Sequence, residues 1–284
     1  MTKLRVLLYC LLGGLPLLIP TIHPEHEVSA LHPGHAAWFW LAGVVLAASF
    51  VPVALYGPRR VLSQFGVVAS VLMMVAVLCL WSESLIFLPL PEIRQHALRN
   101  LAGSAVIYII VAIVLAALAA ILKLPRETGS IVEMRSVAKV VPLVLVSGAA
   151  YVLYYLVFGG ITFQFFTKGY YPEAAQQVVR LGLWFWAIQL GRGVLMTLAI
   201  LPAIYTLRLS RTQAAIAVGV LVWVAGGLAP LLVPNAFMGS TQRFIHVIEI
   251  LTQNASLGIT AVLLLRRKTQ LKGGASPAAA IARA

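Results

Sequence analysis

The chain contains no aspartate; its eight acidic residues are all glutamate. That absence excludes the aspartate-rich motifs with which membrane prenyltransferases and CDP-alcohol phosphotransferases hold metal and diphosphate. Cysteine is nearly as scarce. Cys10 and Cys79 both sit in apolar runs and form no C-x-x-C pair, so no disulfide framework or thiol redox motif is visible. Neither G-x-S-x-G nor H-E-x-x-H occurs, and there is no nucleotide-binding loop, so serine-hydrolase, zincin and nucleotide-dependent readings have no support. Histidines are not paired across apolar spans, which argues against a bis-histidine haem bundle.

What is abundant is apolar sequence. Hydrophobic residues make up 61% of the 284, charged residues only 10%, and mean hydropathy is +0.96. Runs of roughly 20 apolar residues recur, the length a helix needs to cross a bilayer. The fold class expected is therefore all-α: a polytopic transmembrane bundle of about eight spans, near 5–22, 36–56, 61–82, 101–122, 138–158, 181–206, 213–233 and 243–265. Lys3 and Arg5 ahead of "VLLYCLLGGLPLLIP" resemble the start of a signal peptide. The "VSA" at 28–30 is a poor cleavage site far from that run, so a retained first helix is expected.

The net charge of +13 would suggest nucleic acid in a soluble protein. Here the basic residues cluster in short loops on alternate sides of the spans, and the count is asymmetric. Fifteen lie on the side of the termini (Lys3, Arg5, Arg59, Arg60, Lys123, Arg126, Arg135, Lys139, Arg208, Arg211, Arg266, Arg267, Lys268, Lys272, Arg283). Five lie opposite (Arg94, Arg99, Lys168, Arg180, Arg243). Such a bias places both termini in the cytoplasm and makes anionic lipid headgroups the partners of the basic loops, with no nucleic acid. Residues 268–284, rich in small residues, read as a disordered cytoplasmic tail beyond a transmembrane domain at 1–267.

Three constellations stand out. The first is "RFIHVIEILTQN" in the last span. At 100° per residue Arg243, His246, Glu249, Gln253 and Ser256 fall within about 140° of arc, with Phe244, Val247, Ile248 and Leu251 on the other side. A polar stripe must face other helices or water, because a charge in hydrocarbon is costly. Arg243 can snorkel to the surface; Glu249, roughly 9 Å further in by helix rise, cannot.

The second is "WAIQLGRGVL" in the sixth span, where Gln189 and Arg192 share a face and Gly191 and Gly193 let another helix approach. Arg192 lies roughly 16 Å deep, a depth comparable to that of Glu249. An Arg192–Glu249 pair is expected, with Gln189 and His246 as hydrogen-bonding neighbours. It acts either as a ligand or proton-relay site or as a bridge that only fixes helix register. His246-x-x-Glu249 could also supply two metal ligands, too few for a site.

The third is the outer loop "HPEHEVSALHPGH", whose His23, His26, His32 and His35 with Glu25 and Glu27 suit a divalent metal. A solvated connector has the same composition. Further along, the aromatics of 159–186 (Phe163, Phe165, Phe166, Tyr170, Tyr171, Trp184, Trp186) suggest an interfacial belt, or else a stacking surface. Pro234-Asn235 signals a turn, with Ser240 or Thr241 expected to cap the last helix.

The order Gln189-x-x-Arg192-Gly193, Pro202, Pro234-Asn235-x-x-Met238, Arg243-x-x-His246-x-x-Glu249 resembles a group of bacterial polytopic inner-membrane proteins without assigned activity. The resemblance covers roughly residues 184–265. Where that group tends to have Ser-Asn after the Glu, this chain has Thr252, Gln253 and Asn254. The resemblance implies a shared polar cluster and no particular reaction.

The expectation is a small-molecule permease or ligand-binding protein of a bacterial inner membrane, more a carrier than an enzyme, with Gln189, Arg192, His246, Glu249 and Arg243 at its site. A structural subunit held by an Arg192–Glu249 bridge, and a metal-dependent enzyme or sensor using the outer histidines, remain as alternatives.

Overall fold

The structure, a computed structural model, describes residues 2–22, 33–87, 96–124, 132, 134–171, 173–235 and 238–267. Every named element among them is helical. Among the described residues, eight helices are long and apolar enough to cross a membrane: α1 Thr2–Thr21, α2 His35–Tyr56, α3 Val61–Phe87, α4 Ala97–Ile121, α5 Val137–Thr167, α7 Leu183–Thr206, α8 Arg211–Leu232 and α9 Ser240–Leu265. One short helix, α6 Ala174–Leu181, lies between α5 and α7. The protein is a multi-pass helical membrane protein.

The helices pack in a closed circuit, each against the next, in the order α1, α4, α3, α7, α5, α9, α8, α2 and back to α1. Lipid is as apolar as leucine, so hydrophobicity does not drive spans together; close packing of small residues does. Three crossings show this, at Gly14–Gly43 (α1–α2), Gly148–Gly193 (α5–α7) and Gly219–Gly258 (α8–α9). A Cβ on Gly193 would lie 2.8 Å from the Gly148 carbonyl oxygen and 2.7 Å from Tyr151 Cβ. Gly191, which the sequence also offered for close approach, faces open space.

Large apolar side chains such as Leu145, Leu153, Phe244 and Ile248 stay exposed around the belt, as expected of a surface solvated by lipid. At the end that carries Arg5 and Arg266, arginines satisfy terminal carbonyls of neighbouring helices. Arg5 donates to Lys123 O, Arg135 to Leu265 O, Arg211 to Leu263 O and Arg266 to Leu207 O. The last turn of a helix leaves carbonyls without internal donors, and cations suit its negative end.

Several boundaries differ from the sequence expectation, and two of the differences matter. α3 runs five residues past 82, and α5 runs nine past 158. Phe163, Phe165 and Phe166 are therefore helical and not in a loop. Gly182, at φ +53°, breaks the chain between α6 and α7 in a backbone conformation that glycine adopts freely. Gly239, and not Ser240 or Thr241, caps α9, and its N–H donates to Gln242 Oε1 at 2.6 Å. The turn at Asn235 forms as expected, its Oδ1 accepting from Met238 N at 2.9 Å.

Candidate functional site

Five stretches of these helices open from α into π geometry: Leu72–Cys79, Tyr155–Gly159, Phe163–Thr167, Val224–Leu228 and Leu251–Ala255. A π turn carries one residue more than an α turn, redirects the side chains beyond it, and is frequent at functional sites. Here all five converge. Each contributes to the wall of one cavity of about 380 Å³, lined among others by Cys79, Tyr155, Gly159, Phe163, Thr167, Gly226, Gln253 and Asn254. The cavity occupies the half of the bundle formed by the C-terminal ends of α3, α5 and α8 and the N-terminal ends of α7 and α9, and α6 contributes Ala174, Ala175 and Val178.

Two polar clusters face it. In the first, Arg192 of α7 forms an ion pair with Glu83 of α3. Glu83 also accepts from the Tyr155 hydroxyl at 3.0 Å, and Arg192 Nη1 donates to Gln189 Oε1 at 2.6 Å. The guanidinium lies 5.8 Å from the Tyr151 ring centroid, a cation–π distance. The Cys79 thiol donates to the Arg192 carbonyl at 3.8 Å. Gln189 Nε2 and Arg192 Nε are buried without partners.

The second cluster belongs to α9. His246 Nδ1 donates to Glu249 Oε2 at 2.7 Å, and Gln253 Nε2 donates to Glu249 Oε1 at 3.1 Å. With Nδ1 protonated, Nε2 accepts from the Tyr171 hydroxyl at 3.3 Å. Tyr171 lies just beyond α5, and burial together with the Glu249 charge raises its phenol pKa. The backbone of Gly159 on α5 leaves room for this carboxylate: a Cβ there would lie 3.3 Å from Glu249 Oε1 and 3.2 Å from Gln253 Nε2. A phenol, an imidazole and a carboxylate in series can pass a proton or hold an ionisable group. Asn254, off the stripe by regular helical counting, reaches the cavity through the π turn and donates to Val222 O at 3.4 Å.

The expected Arg192–Glu249 pair does not form. The physical reason is the length of α3. Its extension to Phe87 carries Glu83 into the bundle, where it reaches Arg192, while Glu249 is held by residues of its own helix and by Gly159's lack of a side chain. The signal was present in "WSESLIF", where Leu85, Ile86 and Phe87 come after Glu83 and Ser84 and continue the span. Tyr151 and Tyr155, spaced i, i+4 on one face of α5, were likewise readable.

Of the expected site residues, Arg192, His246 and Glu249 line the cavity. Gln189 supports Arg192 from behind, and Arg243 does not line it. The aromatic set divides. Phe163, Tyr171 and Trp186 face the cavity, whereas Phe165, Phe166, Tyr170 and Trp184 are exposed. Of the outer-loop histidines, His23, His26 and His32 lie outside the described residues, as do Glu25 and Glu27; His35 opens α2. No group of three or more His, Cys, Asp or Glu placed to hold a metal ion occurs among the described residues. No protein-family model, curated protein or solved structure matches the chain.

Proposed function

We propose that the protein is a small-molecule permease or ligand-binding protein of a bacterial inner membrane, and that the cavity is its binding site. Both termini lie in the cytoplasm on this reading, which follows the fifteen-to-five distribution of basic residues, so the cavity belongs to the outer half of the bilayer. The observation that carries the reading is the cavity itself. A helix pair held together only by polar contacts would close on itself, whereas here Glu249 and His246 line about 380 Å³ of space beside a separate, internally neutralised Arg192–Glu83 pair. Intramembrane ionisable groups beside a cavity mark substrate or proton paths.

Cysteine accessibility tests this. In a background with Cys10→Ser and Cys79→Ala, Ile250→Cys places a thiol on the cavity wall, and Ile248→Cys places one on the lipid-facing side. A membrane-impermeant methanethiosulfonate added from outside should label position 250 and leave 248 unmodified. If neither site reacts, the cavity is sealed and the polar residues serve only to join helices.

A further inference from the structure

We propose that the ligand of this cavity is a cationic amphiphile, a positively charged head on an apolar body, which enters from the bilayer. The inference rests on the binding role proposed above and concerns the class of ligand.

The charge lining the cavity is never positive in sum. Arg192 is offset by Glu83, which leaves Glu249 and His246. With the imidazole neutral the four groups total −1, and with it protonated they total zero. An anionic head would need an uncommitted cation, and the charge of Arg192 is already neutralised: one N–H of Nη1 goes to Gln189, Nη2 pairs with Glu83, and Nε is buried. Glu249, by contrast, keeps acceptor capacity. Each oxygen takes one hydrogen bond, from His246 or Gln253, and a carboxylate oxygen accepts two.

The walls favour the same sign. Tyr155, Phe163, Phe185 and Trp186 line the space between the two polar clusters, and the negative faces of aromatic rings attract ammonium groups. Arg192 over the Tyr151 ring already shows one such contact.

The route in explains the apolar body. Leu156 and Gly160 line the cavity and are exposed. They precede Thr167, the end of α5, by eleven and seven residues, a depth of roughly 10–16 Å. That depth lies within the apolar layer, so this side opening faces acyl chains and admits a molecule already partitioned into lipid. The exposed Ala175 of α6, also on the cavity wall, marks a second opening at the outer surface, through which the thiol reagent reaches position 250.

The test uses the full chain in nanodiscs, titrated calorimetrically with decyltrimethylammonium and with decyl sulfate, after subtraction of empty discs. One equivalent of the ammonium should bind, about tenfold or more tighter than the sulfate. Glu249→Gln should remove most of that preference. The ammonium should also protect Ile250→Cys from labelling, a readout that keeps Glu249 intact should its substitution prevent folding. Gly160→Phe, which fills the mouth at a position where an added Cβ meets nothing within 4 Å, should slow binding without lowering stability.

Equal or tighter binding of the sulfate, or ammonium binding that ignores Glu249→Gln and leaves the thiol unprotected, overturns the assignment of ligand class. If position 250 is labelled and the ammonium does not bind, the ligand class is likewise wrong and the cavity reading stands. If position 250 is unlabelled and neither amphiphile binds, the binding role falls with it.

Discussion

Glu83→Gln is expected to destabilise the folded protein by about 3–5 kcal/mol, the cost of leaving a buried guanidinium without its counter-charge. The steric change is minimal, because the glutamine carbonyl still accepts from the Tyr155 hydroxyl that now donates to Glu83 at 3.0 Å. What disappears is the charge opposite Arg192, a residue of which only 10% of the side chain is exposed. The double variant Glu83→Gln, Arg192→Gln should recover much of the loss, since removing both charges also removes the desolvation penalty that made the pair necessary. SDS-driven unfolding of the purified protein, followed by tryptophan fluorescence, measures all four corners of the cycle. A strong coupling is expected between positions 83 and 192. Arg192→Gln with Glu249→Gln should add within about 0.3–0.5 kcal/mol, as sites without a shared partner do. Strong coupling at 192–249 and none at 83–192 would mean that the ion pair is misassigned.

That cycle also separates two kinds of polar residue that look alike in sequence. Arg192 and Glu83 neutralise one another and tie α3 to α7, and Gln189 accepts from Arg192. Glu249 and His246 have one face on the cavity. A variant of the first set should act mainly on stability, and a variant of the second mainly on ligand binding. The Arg192–Glu83 pair replaces the expected pairing of Arg192 with Glu249, under which both substitutions would look the same.

The bundle was legible from hydropathy alone, because eight apolar runs of bilayer length leave no other way to satisfy the backbone in lipid. The polar stripe of α9 was legible from its period. His246, Glu249 and Gln253 do share the cavity face, while Phe244 and Ile248 are exposed on the other side. Two features escaped for physical reasons. Span ends blur where a polar residue lies one turn inside the interface, and that blurring hid Glu83. Counting at a fixed 100° per residue assumes an unbroken α-helix, whereas the π segment Leu251–Ala255 turns Asn254 into the cavity. Nothing in the identities of those residues announces the wider turn, which depends on how neighbouring helices take up the displaced carbonyls.

Gly193→Ala should destabilise the bundle, and Gly191→Ala, two residues away, should stabilise it. The contrast follows from what each added carbon meets. At Gly193 it falls within 2.9 Å of Gly148 Cα, the Gly148 carbonyl oxygen and Tyr151 Cβ, none of which is the end of a flexible chain. Relief therefore requires α5 and α7 to separate, at a cost of about 1–3 kcal/mol or more for an overpacked contact. At Gly191 nothing lies within 4 Å, so alanine brings only its better helix propensity, a gain of about 0.5–1 kcal/mol. The separation also has a functional consequence. Tyr151 and Tyr155 ride on α5, and Arg192 and Phe185 ride on α7, so parting the helices pulls the Tyr155 hydroxyl from Glu83 and widens the cavity between them. SDS unfolding should show opposite shifts for the two alanine variants, and Ile250→Cys should label faster in the Gly193→Ala background. Equal stability for both variants would place the α5–α7 contact elsewhere, and the wall that joins the two polar clusters would have to be redrawn.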